Sequence, residues 1–237
     1  MSELRTALVL GGTGYVGREV VRGLVREGVR VAFTYRTQEE AAQALVTETG
    51  AHAYPTNLSE TNPIRELFAK LTQDARKPDI LVHTAVLACR ASTLNVADAL
   101  ADEMYAVNVR SVLIAIQSFV AGLAGQPADV ILTASQAGIT KLPASPAFAA
   151  TQSARLGLTH ALARELGSSG IRINLVLLGL LAGGISADID PARRADYEKF
   201  SAFARVGTAT EAAKAIVRLA LTNRWMTGSV LPLTGGL

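Results

Sequence analysis

The chain has 237 residues, of which 49% are hydrophobic and 18% charged, and its formal net charge is +3 at neutral pH. This length and apolar content suffice for one large core, so a single domain is predicted. No apolar run reaches the roughly 18 to 20 residues of a membrane span, no signal peptide is evident, and basic residues are scattered. The single cysteine, Cys89, cannot form an internal disulfide and lacks metal-ligand spacing. We therefore expect a cytoplasmic protein that binds neither nucleic acid, membrane nor metal.

Short apolar runs alternate with segments of helical period from end to end. This alternation is typical of βαβ units and of a parallel sheet covered on both faces. It predicts an α/β fold, a doubly wound sheet of seven parallel strands with helices on both faces, in one domain over residues 1–237. The strands are expected at 6–10, 30–35, 51–56, 79–84, 128–134, 172–178 and 229–233, and the helices at 15–27, 39–48, 63–75, 98–122, 147–168 and 211–222.

The segment 180–207 interrupts this rhythm. It begins near Gly183 and Gly184 and has a charged middle between Asp188 and Lys199. Because it follows the carboxyl end of a predicted strand, where open α/β sheets place their ligands, we expect a lid or substrate loop. A solvated surface excursion is the alternative.

A glycine-rich turn connects the first strand to the first helix. In such a turn Gly11 permits the tight bend, Gly14 lets the backbone approach a pyrophosphate, and Gly17 lets helix and strand pack closely. The helix N-terminus adds unpaired N–H groups and positive potential. The turn therefore predicts a Rossmann-type dinucleotide site, although tight turns without a ligand also contain glycines. The expected contacts are Gly11, Thr13, Gly14, Tyr15, Val16 and Gly17.

The end of the second strand indicates which dinucleotide is bound. A cofactor with a free ribose 2′-hydroxyl meets a carboxylate at this place. Arg36 stands here instead and suits a 2′-phosphate, which favours NADP(H) over NAD(H). A solvent-facing arginine at the start of a loop is the alternative.

With these motifs the whole chain resembles the short-chain dehydrogenase/reductase family, and especially the 3-oxoacyl-acyl-carrier-protein reductases and polyketide ketoreductases. The glycine spacing is that of the extended branch of the family, whereas the length is that of the classical branch. The resemblance implies a Rossmann fold, an acyl or polyketide-like substrate that is free or carrier-bound, and a homo- or hetero-oligomer, dimer or tetramer. The passages that carry it are 35–42, 79–82, 106–109, 170–174, 227–231 and 235–236.

The resemblance assigns catalysis to four positions, of which two hold the usual residue. Asn108 is expected to hold a proton-relay water, and the Ser135 hydroxyl to hydrogen-bond the substrate carbonyl. Phe148 replaces the usual tyrosine, and a phenyl ring has no proton to give. Gln152 replaces a lysine whose ammonium lowers the tyrosine pKa; its amide carries no charge but is expected to keep a ribose hydrogen bond.

Other departures lie at the same end of the predicted site. Residues 83–85 are His-Thr-Ala where the family has Asn-Ala-Gly, Leu178 replaces a proline, and Gly183 replaces a threonine. The nicotinamide half is thus altered, whereas the adenosine-phosphate half is largely intact. The cofactor contacts implied outside the glycine turn are Arg36, Asn57, Leu58, His83, Thr84, Ala85, Gln152 and Gly179.

Four polar side chains near the predicted cleft are candidates to replace the missing acid: His83, Thr84, Lys141 and Tyr105. His83 is expected to contact the cofactor ribose or to pack locally, Lys141 to be solvated, and Tyr105 to lie in the core or an interface. Three functions stay open from sequence. They are an atypical NADPH-dependent carbonyl reductase, a non-catalytic partner subunit of a heteromeric ketoreductase, and, ranked last, a dinucleotide-sensing regulatory protein.

Overall fold

Seven parallel strands form a single sheet in the computed structural model, which describes residues 4–89, 95–140 and 144–237. Their order is β3-β2-β1-β4-β5-β6-β7. All seven predicted strands are confirmed, with ends shifted by at most one residue. The strands are β1 Thr6–Leu10, β2 Arg30–Tyr35, β3 His52–Pro55, β4 Ile80–His83, β5 Ala128–Ser135, β6 Ile171–Leu178 and β7 Val230–Leu233.

The strand order reverses between β1 and β4, which lie side by side in the sheet. In doubly wound sheets ligands bind outside the carboxyl ends of the strands at this switch point. The first candidate region is therefore the edge that follows Leu10 and His83.

Helices cover both faces of the sheet, and the six predicted helices are confirmed. The predicted helix 98–122 is interrupted by a π-helical turn, Ala106–Arg110, and the predicted loop 180–207 contains a helix, Pro191–Phe200. The helices are α1 Gly17–Arg26, α2 Glu39–Thr49, α3 Thr61–Gln73, α4 Asp98–Tyr105, α5 Ser111–Leu123, α6 Pro146–Leu166, α7 Pro191–Phe200 and α8 Ala209–Thr222.

The core consists of two apolar layers, one on each face of the sheet. In β1, Leu8 and Leu10 contribute to the layer under α3, α5 and α6, and Ala7 and Val9 to the layer under α1, α2 and α8. Every residue of β1 is buried, as parallel strands covered on both faces require.

The continuous helical stretch Asp98–Leu123 is long and apolar enough to cross a membrane, and an 18-residue window within it has a mean hydropathy of 1.6. The stretch is not an uninterrupted apolar run, since Asn108, Arg110 and Gln117 fall within it. More than half of that window, 56%, is buried within the fold, and α5 packs against α3. The apolar side chains of a core helix give the same hydropathy, because packing against a sheet removes them from water.

The amino ends of the central strands are joined by charged side chains. Asp129 is almost fully buried, and it accepts two hydrogen bonds from Arg172, at 2.7 and 2.8 Å, and one from Arg5, at 3.0 Å. Arg5 also pairs with Asp79. This ion-pair cluster fastens β1, β4, β5 and β6 at the edge opposite the switch point.

Candidate functional site

A cleft of about 660 Å³ opens along the carboxyl ends of the strands. Its lining comes from the glycine turn, from the ends of β2 to β6, from α6, and from residues 183–186. A cavity of this size is in the range of small-molecule and cofactor sites. It brings together most of the residues predicted from sequence: Gly11, Thr13, Gly14, Tyr15, Val16, Gly17, Arg36, Asn57, Leu58, Thr84, Ala85, Ser135, Gln152 and Gly179.

The glycine turn is closed so tightly that side chains are excluded from it. Gly11 has a φ of +87°, and a Cβ there would lie 2.8 Å from the Ala85 backbone; a Cβ on Gly17 would lie 2.0 Å from the Gly11 carbonyl oxygen. The Thr84 hydroxyl donates to the Leu10 carbonyl at 3.0 Å and holds the turn against β4. No side chain caps α1, which begins at Gly17. The N–H groups of Arg18, Glu19 and Val20 bond to backbone carbonyls, so the N-terminus offers an anion the Gly17 N–H and positive potential.

Arg36 lines the cleft at the end of β2, and its side chain is 54% exposed. Its Nη1 donates to Glu103 Oε1 of α4 at 2.7 Å. Asn57 lies nearby and uses its amide within its own turn, accepting from Ser59 and donating to Glu60. This end of the cleft therefore presents a cation that is accessible and only partly neutralised.

The opposite end of the cleft is formed by Ser135 and Gln152. The Ser135 N–H donates to Gln152 Oε1 at 3.0 Å, and the Ser135 Oγ accepts from the Ala137 N–H at 3.2 Å. Gln152 is buried, and its Nε2 donates to Thr151 Oγ1 at 3.3 Å. Gln152 therefore fixes the end of β5 against α6, while the Ser135 hydroxyl keeps its own proton available to donate.

A buried arginine lies behind this end of the cleft. Arg155 is 0% exposed, and its guanidinium donates to three backbone carbonyls: Asn108 at 2.8 Å, Thr133 at 2.6 Å and Ala85 at 2.7 Å. Burial lowers the pKa of Arg155 to about 10, so the group stays protonated at neutral pH. Arg155 thus links α6 to the ends of β4 and β5 and to the π-helical turn.

His83 shares this buried site with Arg155. Its Nδ1 lies 3.5 Å from Arg155 Nη2, and its Nε2 lies 2.8 Å from the Ser111 Oγ, which itself donates to the Val107 carbonyl. Since the Ser111 proton is already donated, Ser111 accepts from Nε2–H, and Nδ1 is the acceptor that faces Arg155. Burial and the adjacent Arg155 charge lower the pKa of His83 well below its usual range, so the ring is neutral.

Residues 183–186 close one side of the cleft through a contact with Tyr15. A Cβ on Gly183 or on Gly184 would lie 2.8 Å from the Tyr15 side chain, and Gly184 has a φ of +68°. Further along this segment, the Tyr197 hydroxyl of α7 donates to the Thr234 carbonyl at 2.6 Å. The segment is therefore fastened to the cleft at its start and to β7 at α7.

A family model described as enoyl-(acyl carrier protein) reductase matches residues 14–237. The chain belongs to the short-chain dehydrogenase/reductase family. Its sheet of seven parallel strands and its glycine turn confirm the fold that the sequence predicted.

Curated relatives and solved structures agree with this assignment. The chain is 25% identical to the 3-oxoacyl-acyl-carrier-protein reductase FabG of Staphylococcus aureus (strain Mu50 / ATCC 700699), covering 100% of this chain and 99% of the relative. It is 26% identical to nodulation protein G of Rhizobium sp. (strain N33), covering 98% and 96%. A short-chain dehydrogenase from Burkholderia cenocepacia J2315 in complex with NADP superposes with a TM-score of 0.91 at 27% identity, covering 98% and 97%. The Pseudomonas aeruginosa RhlG/NADP active-site complex gives 0.88 at 29%, covering 98% and 95%.

Two of the four predicted catalytic positions of this short-chain dehydrogenase/reductase do not line the cleft. Phe148 is 6% exposed, and its ring packs in an apolar cluster with Cys89 and Met104. Asn108 is fully buried, and its Oδ1 accepts from the Leu87 N–H. Its Nδ2 donates to the Leu87 carbonyl and to the Thr151 hydroxyl. The Asn108 side chain is thus engaged within the protein, and its carbonyl accepts one hydrogen bond, from Arg155 Nε; the relay water on Asn108 stays a prediction.

The predicted cofactor contact of His83 must also be corrected. Its side chain is buried below the cleft and bound to Ser111, whereas the neighbouring Thr84 and Ala85 do line the cleft. Tyr105 is exposed on α4, and Lys141 lies outside the described residues. Neither is placed at the cleft as a replacement acid.

Arg155 is not among the site residues predicted from the sequence. The signal was present, because the buried residues of α6 recur with helical period, and Arg155 falls on the same stripe as Gln152, three residues away. An arginine inside a buried stripe requires polar partners, which the strand ends provide here.

Proposed function

We propose that this chain is an NADP(H)-dependent oxidoreductase that acts on the carbonyl of an acyl or polyketide-like substrate without a tyrosine acid. The observation that carries this proposal is one continuous cleft. It has the uncapped N-terminus of α1 and the exposed Arg36 at one end, and Ser135 and Gln152 at the other. The similarity to a 3-oxoacyl-acyl-carrier-protein reductase and to two NADP complexes supports the same cofactor and substrate class.

The residues present fit a dinucleotide. Gly14 is exposed in the turn and Gly17 removes any side chain from the start of α1, so a pyrophosphate can approach the helix N-terminus. A 2′-phosphate would replace Glu103 as the ion-pair partner of Arg36. Thr84, Ala85 and Gly179 also line the cleft and would form its wall toward a bound nicotinamide.

When bound, NADPH supplies the hydride, and the protein supplies orientation and hydrogen bonds. In this proposal the Ser135 hydroxyl would hydrogen-bond the substrate carbonyl oxygen, Gln152 would hold the serine in place through the Ser135 N–H, and the alkoxide left by hydride transfer would take its proton from solvent water. Among the described residues that line this end of the cleft, the polar side chains are hydroxyls and one amide. Loss of a positioned general acid lowers rates by about 10²- to 10⁴-fold, so slow turnover is expected.

A second function is favoured because the side chains at three of the predicted catalytic positions already contact other residues of the protein. Asn108 and Gln152 are both committed to internal hydrogen bonds, and Phe148 is packed among apolar side chains. These features suit a subunit that binds a dinucleotide or an acyl carrier but leaves turnover to a partner. Assembly into a homo- or hetero-oligomer is part of both proposals.

The test is NADPH oxidation, followed by absorbance with 3-oxoacyl thioesters, for the wild type and Ser135→Ala. The reductase proposal expects slow turnover that falls by about 10²-fold in Ser135→Ala. Ser169→Ala is the matched control, because Ser169 is exposed near the amino end of β6, away from the cleft. Turnover that requires an added partner subunit supports the second function. Turnover equal in both serine variants contradicts the role of Ser135.

A further inference from the structure

Arg155 carries a buried charge that the described residues do not neutralise. It has no carboxylate within 4.0 Å among residues 4–89, 95–140 and 144–237, whereas Arg5 and Arg172 each pair with Asp129. The three backbone carbonyls that bind Arg155 stabilise the cation with their dipoles but contribute no net charge. The neutral His83 ring contributes none either.

The charge lies directly behind the wall of the cleft. Two of its three carbonyl partners belong to Ala85 and Thr133, which line the cleft, and the third belongs to Asn108, next to the lining residue Val107. Since Arg155 is fully buried, water does not screen its field as it screens that of a surface arginine. The positive potential therefore reaches into the half of the cleft that contains Ser135.

The effect of this potential on a bound dinucleotide rests on the proposed function. If the phosphates lie at α1 and Arg36, the extended dinucleotide places its nicotinamide ring in the opposite half, beside Ser135 and Gln152. The reduced ring of NADPH is neutral, whereas the oxidised ring of NADP⁺ carries one positive charge. The adenosine and phosphate groups are the same in both forms, so a cation near the ring acts on the difference between them.

We propose that Arg155 makes the cleft selective for the reduced dinucleotide, by repelling the cationic ring of the oxidised form. Thr133, whose carbonyl Arg155 binds, lies two strand residues from Ser135, a rise of about 7 Å. A separation on the order of 10 Å and an effective dielectric constant of about 20 give roughly tenfold weaker binding of NADP⁺ than of NADPH.

The test measures dissociation constants for NADPH and NADP⁺ by calorimetry, for the wild type, Arg155→Lys and Arg155→Met. The wild type is expected to bind NADPH roughly tenfold more tightly, Arg155→Lys to keep most of that preference, and Arg155→Met to lose it. The ratio of the two constants is measured on one preparation, so it does not depend on the folded fraction. A purely structural role would change both constants together in both variants.

Arg36→Gln is the matched control. It removes a cation that faces the common 2′-phosphate, so both affinities should fall while their ratio stays the same. Equal affinity for the two forms in the wild type overturns the proposal, even if Arg155→Met does not fold, and so does an unchanged ratio in Arg155→Met. Failure of both forms to bind the folded wild type would instead overturn the proposed function.

Discussion

Two basic side chains in one buried site, His83 and Arg155, can hold only one charge between them at neutral pH. Nδ1 of His83 faces the guanidinium at 3.5 Å, and protonation of the ring would place two cations side by side without water. The arginine keeps its proton because its guanidinium is bound by three carbonyls and is the stronger base.

This arrangement predicts acid sensitivity. The pKa of His83 is about 6.5 in the unfolded chain and lies well below that in the folded protein. Below about pH 6.5 the unfolded state binds a proton that the folded state does not, so the free energy of unfolding falls as pH decreases, by up to about 1.4 kcal/mol per unit. His83→Asn should remove this component of the slope. Urea denaturation between about pH 7 and pH 5 measures it, and an equal slope in both proteins would contradict the buried neutral ring.

Asp129 gives a residue-scale prediction that separates stability from binding. Asp129→Asn leaves Arg5 and Arg172, which are partly exposed, without their shared carboxylate. We expect the free energy of unfolding to fall by about 2 kcal/mol, below the cost of breaking a fully buried pair because solvent reaches the arginines. Dinucleotide affinity should not change, since the ion-pair cluster lies at the edge opposite the cleft. Urea denaturation and an NADPH titration of the same variant test both statements.

At the scale of elements, the strands and the glycine turn were predictable because their signals are local. Each strand is a short apolar run, and Gly11 and Gly17 sit where a Cβ would meet backbone atoms. The positions of the Phe148 and Asn108 side chains outside the cleft could not be predicted from such local signals. Their side chains are oriented by α4 and by the π-helical turn, and a π-helical turn in the middle of an apolar helix has no marker in hydrophobic periodicity.

Gly184→Ala tests the role of residues 183–186, which line one side of the cleft. With a φ of +68° and Tyr15 at 2.8 Å from an added Cβ, alanine is strained and collides with the turn. We expect a loss of about 1 kcal/mol or more in stability and weaker dinucleotide binding, because residues 183–186 line the cleft. The matched control is Gly167→Ala, where φ is −59° and no atom lies within 4 Å of the added Cβ. A Gly184→Ala protein with wild-type affinity would contradict the role of this segment.

At the scale of the whole molecule, the two ends of the strands have different roles: the amino ends stabilise the sheet, and the carboxyl ends form the candidate ligand site. The amino ends of the strands are joined by the ion-pair cluster around Asp129, and the carboxyl ends form a cleft at the switch point between β1 and β4. The sequence predicted the position of this cleft because topology alone fixes it. The buried charge of Arg155 behind the cleft wall could not be predicted in the same way. It depends on which groups of α6, β4 and β5 meet in space, and only the folded structure shows this.

We propose that this cleft binds a phosphorylated dinucleotide although its reactive half is altered. Calorimetric titration of the folded chain with NADPH tests it most directly, with NADH and the Arg36→Gln variant for comparison. We predict saturable binding of NADPH with a dissociation constant between about 1 μM and 1 mM, and roughly tenfold weaker binding in Arg36→Gln, while NADH binding stays the same in both proteins. The absence of saturable NADPH binding by the folded chain up to about 1 mM would contradict the account.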